Sequence, residues 1–222
     1  MIRECEEHGY FRAENCPFCG EEGKYIMSDA EVERIGRSLA GILRHGKYGL
    51  EMDSQGFVSM RDIINTIRDR NPRMGWLRVR HLEALINTDP KGRYAISGSK
   101  VRATYGHTLD LDLNLDCRNI PEMLFYPVDR DEAESIVKEG LFPSDRAMVH
   151  LSLTYNDAVR AGSVRMDDPT ILMIDTEACI DAGFPIGHAA KTVYLCKEVP
   201  PEALYIADPA DFVYDEQEDD RF

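Results

Sequence analysis

The chain has 222 residues, 26 of them Lys or Arg and 40 Asp or Glu, for a formal net charge of −14. At 43% hydrophobic and 30% charged it has a globular composition. It shows neither a basic-then-apolar leader nor a bilayer-length apolar run, so a cytoplasmic protein without membrane contact is expected. Charge distribution excludes less than the total does: residues 31–102 hold 14 Lys/Arg against 8 Asp/Glu, while the remainder holds 12 against 32. A basic block of this kind is the electrostatic footprint of a polyanion partner.

Residues 1–27 carry Cys5-x-x-His8 and Cys16-Pro-Phe-Cys19, two ligand pairs on either side of a short loop. Without secretion signals, disulfides are not expected, and two such pairs can close a tetrahedral zinc site. Four protein ligands leave no open coordination position, so the zinc is expected to be structural. Gly20 eases the turn after Cys19, and Tyr10, Phe11 and Phe18 are expected to pack around the knuckle. Chelation is expected to destabilise residues 1–24 and leave the two lobes largely folded. Cys179 and Cys196 read as core residues.

Three helices are expected next. Ser28-Asp29 can cap a helix that places Val32, Ile35, Leu39, Ile42 and Leu43 on one face, with Gly46 as its terminator. "SMRDIINTIRDR" and "GWLRVRHLEALI" supply two more. "GRYAISGSKVRATYG" then alternates as strand, turn, strand, so that residues 28–108 have the element order of a winged-helix lobe. "LDLDLNLDC" (109–117) reads as a connecting strand or linker. Beyond it, "MLFYPV", "MVHLSL", "TILMIDT", "KTVYLCK" and "ALYIA" are short strands, interrupted by helices in "DRDEAESIVKEG" and "NDAVRAG". The expected class is α+β, with a β-rich lobe over 118–214 and an acidic tail over 215–222.

Arg44-His45 at the end of the first helix admits two readings. Basic residues complement the partial negative charge of a helix C-terminus, and the same pair can grip a phosphate. "LAGILRHGKYGLEMDSQGFVSM" resembles the opening motif of the RNA 2′-phosphotransferases. "NTDPKGRYAI", "VRATYGHTL", "IVKEGLFPSDRAMVHLS", "AGSVR" and "VYLCKEVPPEALYI" extend the resemblance, in order, over about residues 30–210.

The resemblance implies a winged-helix lobe joined to an ADP-ribosyltransferase-like, NAD-binding lobe. It implies a substrate RNA, such as a spliced tRNA, carrying an internal 2′-phosphate. That phosphate attacks the nicotinamide riboside of NAD, and the ribose 2″-hydroxyl then attacks the transferred phosphate. The products are 2′-OH RNA, nicotinamide and ADP-ribose 1″,2″-cyclic phosphate. The motifs place the catalytic set on Arg44, His45, Arg102 and Arg165. Tyr126, Arg146, His150 and Ser152 fall in the NAD region, and Arg93 and His107 on the RNA side. A monomer is expected.

The sequence departs from the family pattern in the NAD region. Tyr126-Pro127-Val128 stands where the family has His-Gly-Thr, and Gly162-Ser163-Val164-Arg165 stretches its Gly-x-Arg spacing. Proline cannot replace a glycine whose N–H or close approach serves a ligand. Two other functions therefore stay open. One is a nucleic-acid-binding protein whose NAD lobe has degenerated. The other is an ADP-ribosyltransferase acting on terminal nucleic-acid phosphates.

Overall fold

Ser28 opens the longest helix with a full capping box: its side chain accepts from Glu31 N–H, and the Glu31 carboxylate accepts from Ser28 N–H at 2.8 Å. In the computed structural model, which describes residues 1–212, this helix is α1 (Asp29–His45), and Gly46 ends it in the left-handed conformation. The expected tail over 215–222 and the last residues of the 118–214 lobe lie outside the described residues. The chain divides into two units, Met1–Asn114 and Leu115–Phe222.

The first unit begins with β1 (Ile2–Cys5), β2 (Gly9–Phe11) and β3 (Lys24–Met27), an antiparallel sheet in the order β2-β1-β3. After α1 come β4 (Val58–Ser59), α2 (Met60–Arg70), α3 (Val79–Asn87), β5 (Tyr94–Ser97) and β6 (Lys100–Ala103). The last three strands form a sheet in the order β4-β6-β5. One core joins them: Ile35, Leu39, Ile42 and Leu43 of α1 pack with Ile63 and Ile67 of α2 and Leu82 and Leu85 of α3. Ile2, Ile26 and Met27 belong to that same core. The N-terminal segment is therefore built into the core of this unit.

One element boundary also differs from expectation. The third helix starts at Val79 rather than Gly75, because a 3-10 turn (Pro72–Met74) and the buried Leu77 precede it. His81 then caps it, Nδ1 accepting from Arg78 N–H at 2.9 Å. Burial and the charges of Arg80 and Arg78 hold the His81 pKa below its ordinary value, which suits a neutral acceptor. Residues 109–117 form no strand beyond a single Asp116–His188 bridge. Their backbone bonds elsewhere, with Asp112 N–H donating to Ser54 O and Leu113 O accepting from Arg102.

The second unit is a six-stranded antiparallel sheet in the order β10-β11-β8-β7-β9-β12. Its strands are β7 (Met123–Val128), β8 (Val149–Ser152), β9 (Thr170–Asp175), β10 (Gly187–Ala190), β11 (Val193–Cys196) and β12 (Leu204–Ile206). Helices α4 (Ala133–Glu139), α5 (Tyr155–Gly162) and α6 (Thr176–Asp181) intervene. Cys179 and Cys196 are core residues as expected. The strands segregate into antiparallel sheets, so the protein is α+β. Among the described residues no helix is long and apolar enough to cross a membrane.

Candidate active site and metal centre

In the first unit the chain after β6 returns to the end of α1. Thr108 N–H donates to the Arg44 carbonyl at 3.0 Å, and Thr108 Oγ1 lies 3.2 Å from His45 Nδ1. The Arg44 guanidinium lies over the Tyr105 ring, 4.9 Å from its centroid. Arg44 Nε and Nη2 are buried with no hydrogen-bond partner among the described residues. An arginine that only complements a helix end extends its head into water. Two orphaned buried donors instead carry a desolvation cost of about 1–3 kcal/mol each, which an arriving anion would relieve.

Arg102, on β6, is half-buried in the same way. Its Nη1 donates to Leu113 O at 2.9 Å and Gln55 O at 3.3 Å, the guanidinium covers the Phe57 ring at 4.9 Å, and Nε is buried without a partner among the described residues. Burial lowers its pKa and the Asp53 carboxylate opposes this; an arginine starts so high that it stays a cation. Asp53 also shapes the loop, Oδ1 accepting from Phe57 N–H at 2.9 Å and Gln55 N–H at 3.2 Å. Gly56 completes the turn at φ 84°. A Cβ there would lie 3.0 Å from Leu111 Cδ1, 3.7 Å from His107 Nε2 and 3.9 Å from Arg102 Cβ. The segment 105–108 thus brings Arg44, His45, His107 and Arg102 into one neighbourhood.

Arg93 is held differently. Its Nη2 meets Asp89 Oδ1 at 2.6 Å, and its Nε bonds the same carboxylate. Burial raises the Asp89 pKa, but hydrogen bonds and charge from Arg93 outweigh it, so the carboxyl titrates below its ordinary range. A depressed folded-state pKa gives stability that is present above the unfolded value of about 3.9 and lost as pH falls through the folded value. Asp89→Asn is therefore expected to lower the melting temperature at pH 7 and to flatten its fall below pH 4, as acid melts of the two proteins would register.

In the second unit Asp145 gathers two of the expected residues. Arg165 Nη2 donates to Asp145 Oδ2 at 3.1 Å, and Arg146 Nε lies 3.6 Å from Asp145 Oδ1. Tyr126 is half-buried on β7; burial raises its phenol, on which Arg165 and Asp145 act with opposite sign. His150 and Ser152 lie on β8, which meets β7 only at Phe125–Ser152. Gly162 itself has a packing role. A Cβ on Gly162 would come within 2.7 Å of both Pro127 and Pro169, so this glycine serves the fit of α5 on β7. Arg165 follows one turn later, its N–H donating to Gly162 O at 2.9 Å. Asp145 was not anticipated; its only signal in the sequence is a carboxylate adjoining Arg146.

The metal-ligand set does converge. The ligand atoms of Cys5, His8, Cys16 and Cys19 all lie within 4.8 Å of one another. Cys5 Sγ is 3.7 Å from Cys19 Sγ, and His8 Nδ1 is 3.4 and 3.6 Å from Cys5 and Cys16 Sγ. A tetrahedron with metal–sulfur bonds of about 2.3 Å has edges of about 3.8 Å, so the residues fit a four-coordinate ion. Burial raises the Cys16 thiol, but N–H donors of Cys19 and Phe18 outweigh it and bring it down to about 7. Phe11 is buried beside Cys5 and Cys16, whereas Phe18 is 77% exposed and stacks on His8 at 5.2 Å.

Arg44 and Arg102 are half-buried with donors that have no partner among the described residues, an arrangement suited to an anion, and the guanidinium fork matches phosphate oxygens. The chain belongs to the family described as RNA 2′-phosphotransferase, Tpt1 / KptA family, whose model matches residues 29–198, and the protein is accordingly a transferase. It is 40% identical to a probable RNA 2′-phosphotransferase of Thermoplasma acidophilum over 220 residues, 98% of this chain and 92% of that relative. It is 36% identical to one of Methanosarcina barkeri over 210 residues, covering 94% and 100% of the two chains. With one of Pyrococcus furiosus it shares 36% over 173 residues, 77% and 93%. The metal ligands precede the segment matched by the family model.

Proposed function

We propose that this protein is an NAD-dependent RNA 2′-phosphotransferase that removes an internal 2′-phosphate from spliced tRNA. The observation that carries the reading is the pair Arg44 and Arg102, buried with unsatisfied donors beside His45 and His107. A phosphate dianion supplies the acceptors both arginines lack. Arg44, His45 and Arg102 hold the 2′-phosphate so that one oxygen attacks the anomeric carbon of NAD as nicotinamide leaves. Arg93, fixed by Asp89, and His107 complete the RNA side. Tyr126, Arg146, His150 and Ser152 hold NAD, with the neutral Tyr126 hydroxyl contributing what a glycine backbone cannot contribute at Pro127.

In the second step the ribose 2″-hydroxyl gives up its proton and attacks phosphorus, and the RNA 2′-oxygen departs and gains a proton. Charge develops on the phosphoryl oxygens, and Arg165 stabilises it. The order α1-β4-α2-α3-β5-β6 supports a winged-helix reading of the first unit, and the six-stranded antiparallel sheet an ADP-ribosyltransferase-like reading of the second. The ion at Cys5, His8, Cys16 and Cys19 is zinc, in a structural role, and the enzyme works as a cytoplasmic monomer.

The test incubates the protein with end-labelled RNA bearing one internal 2′-phosphate and NAD. Wild type is expected to release the phosphate. Arg165→Ala is expected to accumulate RNA carrying a 2′-phospho-ADP-ribose adduct, seen as a slower gel band. Binding of the RNA with the phosphate left in place at saturating NAD would overturn the reading in favour of a nucleic-acid-binding protein.

A further inference from the structure

Tyr48 is a bulky residue at φ 74°, three positions after His45 and 47% exposed. Positive φ is strained for such a side chain, and strain of this kind persists where surrounding contacts over-determine it. The contact here is Arg70 of α2, whose guanidinium carbon lies 3.8 Å from the Tyr48 ring centroid. The pair flanks a shallow groove, with Arg34 and Ser38 of α1 on the rim and Ile67 and Met74 on the floor.

Positions 34, 38, 41 and 45 fall on one face of α1, at steps of four, three and four residues. That face runs about 17 Å from Arg34 to His45. At its centre Gly41 leaves room for Lys47, whose Cδ would lie 3.0 Å from a Cβ at that position. The face therefore offers Arg34, the Lys47 stem and His45 in a row, beside the Tyr48–Arg70 stack. The third helix offers a more mixed face, with Arg80 beside Glu83 and Asn87. It buries His81, Leu82, Ala84, Leu85 and Ile86, five of its nine residues, and the Glu83 carboxylate dilutes the positive charge of what is left for a polyanion.

We infer that the face of α1 running from Arg34 to His45, with the Tyr48–Arg70 stack, is the track for the single-stranded RNA flanking the 2′-phosphorylated nucleotide. This rests on the proposed reading of Arg44 and His45 as the phosphate grip. Tyr48 lies within about 11 Å of His45 along the chain, near enough for an adjoining nucleotide to reach it. Exposed aromatic and guanidinium planes stack on bases of any identity, and Arg34, Lys47 and Arg70 supply cations for backbone phosphates. A track of this kind is indifferent to RNA sequence.

Labelled single-stranded RNA decamers, one with and one without an internal 2′-phosphate, provide the test, by fluorescence anisotropy across a salt series. Tyr48→Gly keeps the backbone comfortable at positive φ while removing the ring, so it is the safer variant for folding. Tyr48→Gly and Arg70→Gln are expected to weaken binding of both decamers about tenfold. Arg70→Gln is also expected to reduce the salt slope by about 0.7. Arg61→Gln, half a turn out of phase with Arg70 on α2, controls for general loss of charge. Unchanged binding in the first two variants, or an equal loss in Arg61→Gln, would overturn the track. The decamer without the 2′-phosphate separates the two ideas. If wild type leaves the phosphate untouched, the enzymatic reading fails, and binding of the plain decamer still decides the track.

Discussion

Arg44→Ala is expected to cut removal of the 2′-phosphate by about 10³-fold without lowering the melting temperature. The two halves of this expectation have separate causes. Loss of rate follows from losing the guanidinium that would orient the attacking phosphate. The absence of a stability loss follows from opposing terms. The substitution forfeits a stack on Tyr105 worth about 0.5–1 kcal/mol and a helix-end charge worth about 0.3–1 kcal/mol. It also removes two buried donors without partners, each carrying about 1–3 kcal/mol of desolvation. Arg102→Ala is expected to be equally inactive but less stable, because the carbonyls of Leu113 and Gln55 both lose their donor. Single-turnover assays beside thermal melts check both. Near-normal turnover in Arg44→Ala would return Arg44 to the role of a helix cap.

What was legible in the sequence was whatever is settled by short-range rules. Ser28, Gly46 and the Gly98 turn are local punctuation, and the alternating runs of the second unit each became a strand. Metal-ligand spacing was legible for the same reason, since each ligand pair is itself a local turn. The third helix was misplaced by four residues because Leu77, deep in the core, extends the apolar pattern without being helical. Helix α6 went unseen because its sequence runs straight on from β9, and only the Asp175 cap, Oδ1 accepting from Ala178 N–H, marks the change. The convergence of Arg146 and Arg165 on Asp145 joins segments about twenty residues apart, and no local rule brings them together. Gly162 stands out in the sequence only by its spacing to Arg165, and its lack of room for a side chain between Pro127 and Pro169 is set by tertiary packing.

Removing the metal is expected to unfold much of the first unit while the second keeps its melting transition. Ile2 at the start of β1, and Ile26 and Met27 at the end of β3, are 0%, 6% and 0% exposed within the core shared with α1, α2 and α3. Burying three such side chains is worth roughly 5–8 kcal/mol, comparable with the whole stability of a small domain. Between those strands, residues 6–23 hold only the short β2, an Asn15–Glu22 bridge and a few turn bonds, and the four ligands tie these pieces together. The junction is reinforced from the helical side, where Arg12 Nε donates to Thr88 Oγ1 at 3.1 Å, just beyond the end of α3. Loss of the ion frees β1 from β3, uncovers α3, and lets water reach Leu82 and Leu85. Chelation, or Cys16→Ser, should therefore lower protection from hydrogen exchange across α1 and α3 as well as over residues 1–27, with β7 and β9 unaffected. Protection lost over residues 1–27 alone would mean that the helices hold their core without the metal-bound sheet, and that Ile2, Ile26 and Met27 follow the fold rather than complete it.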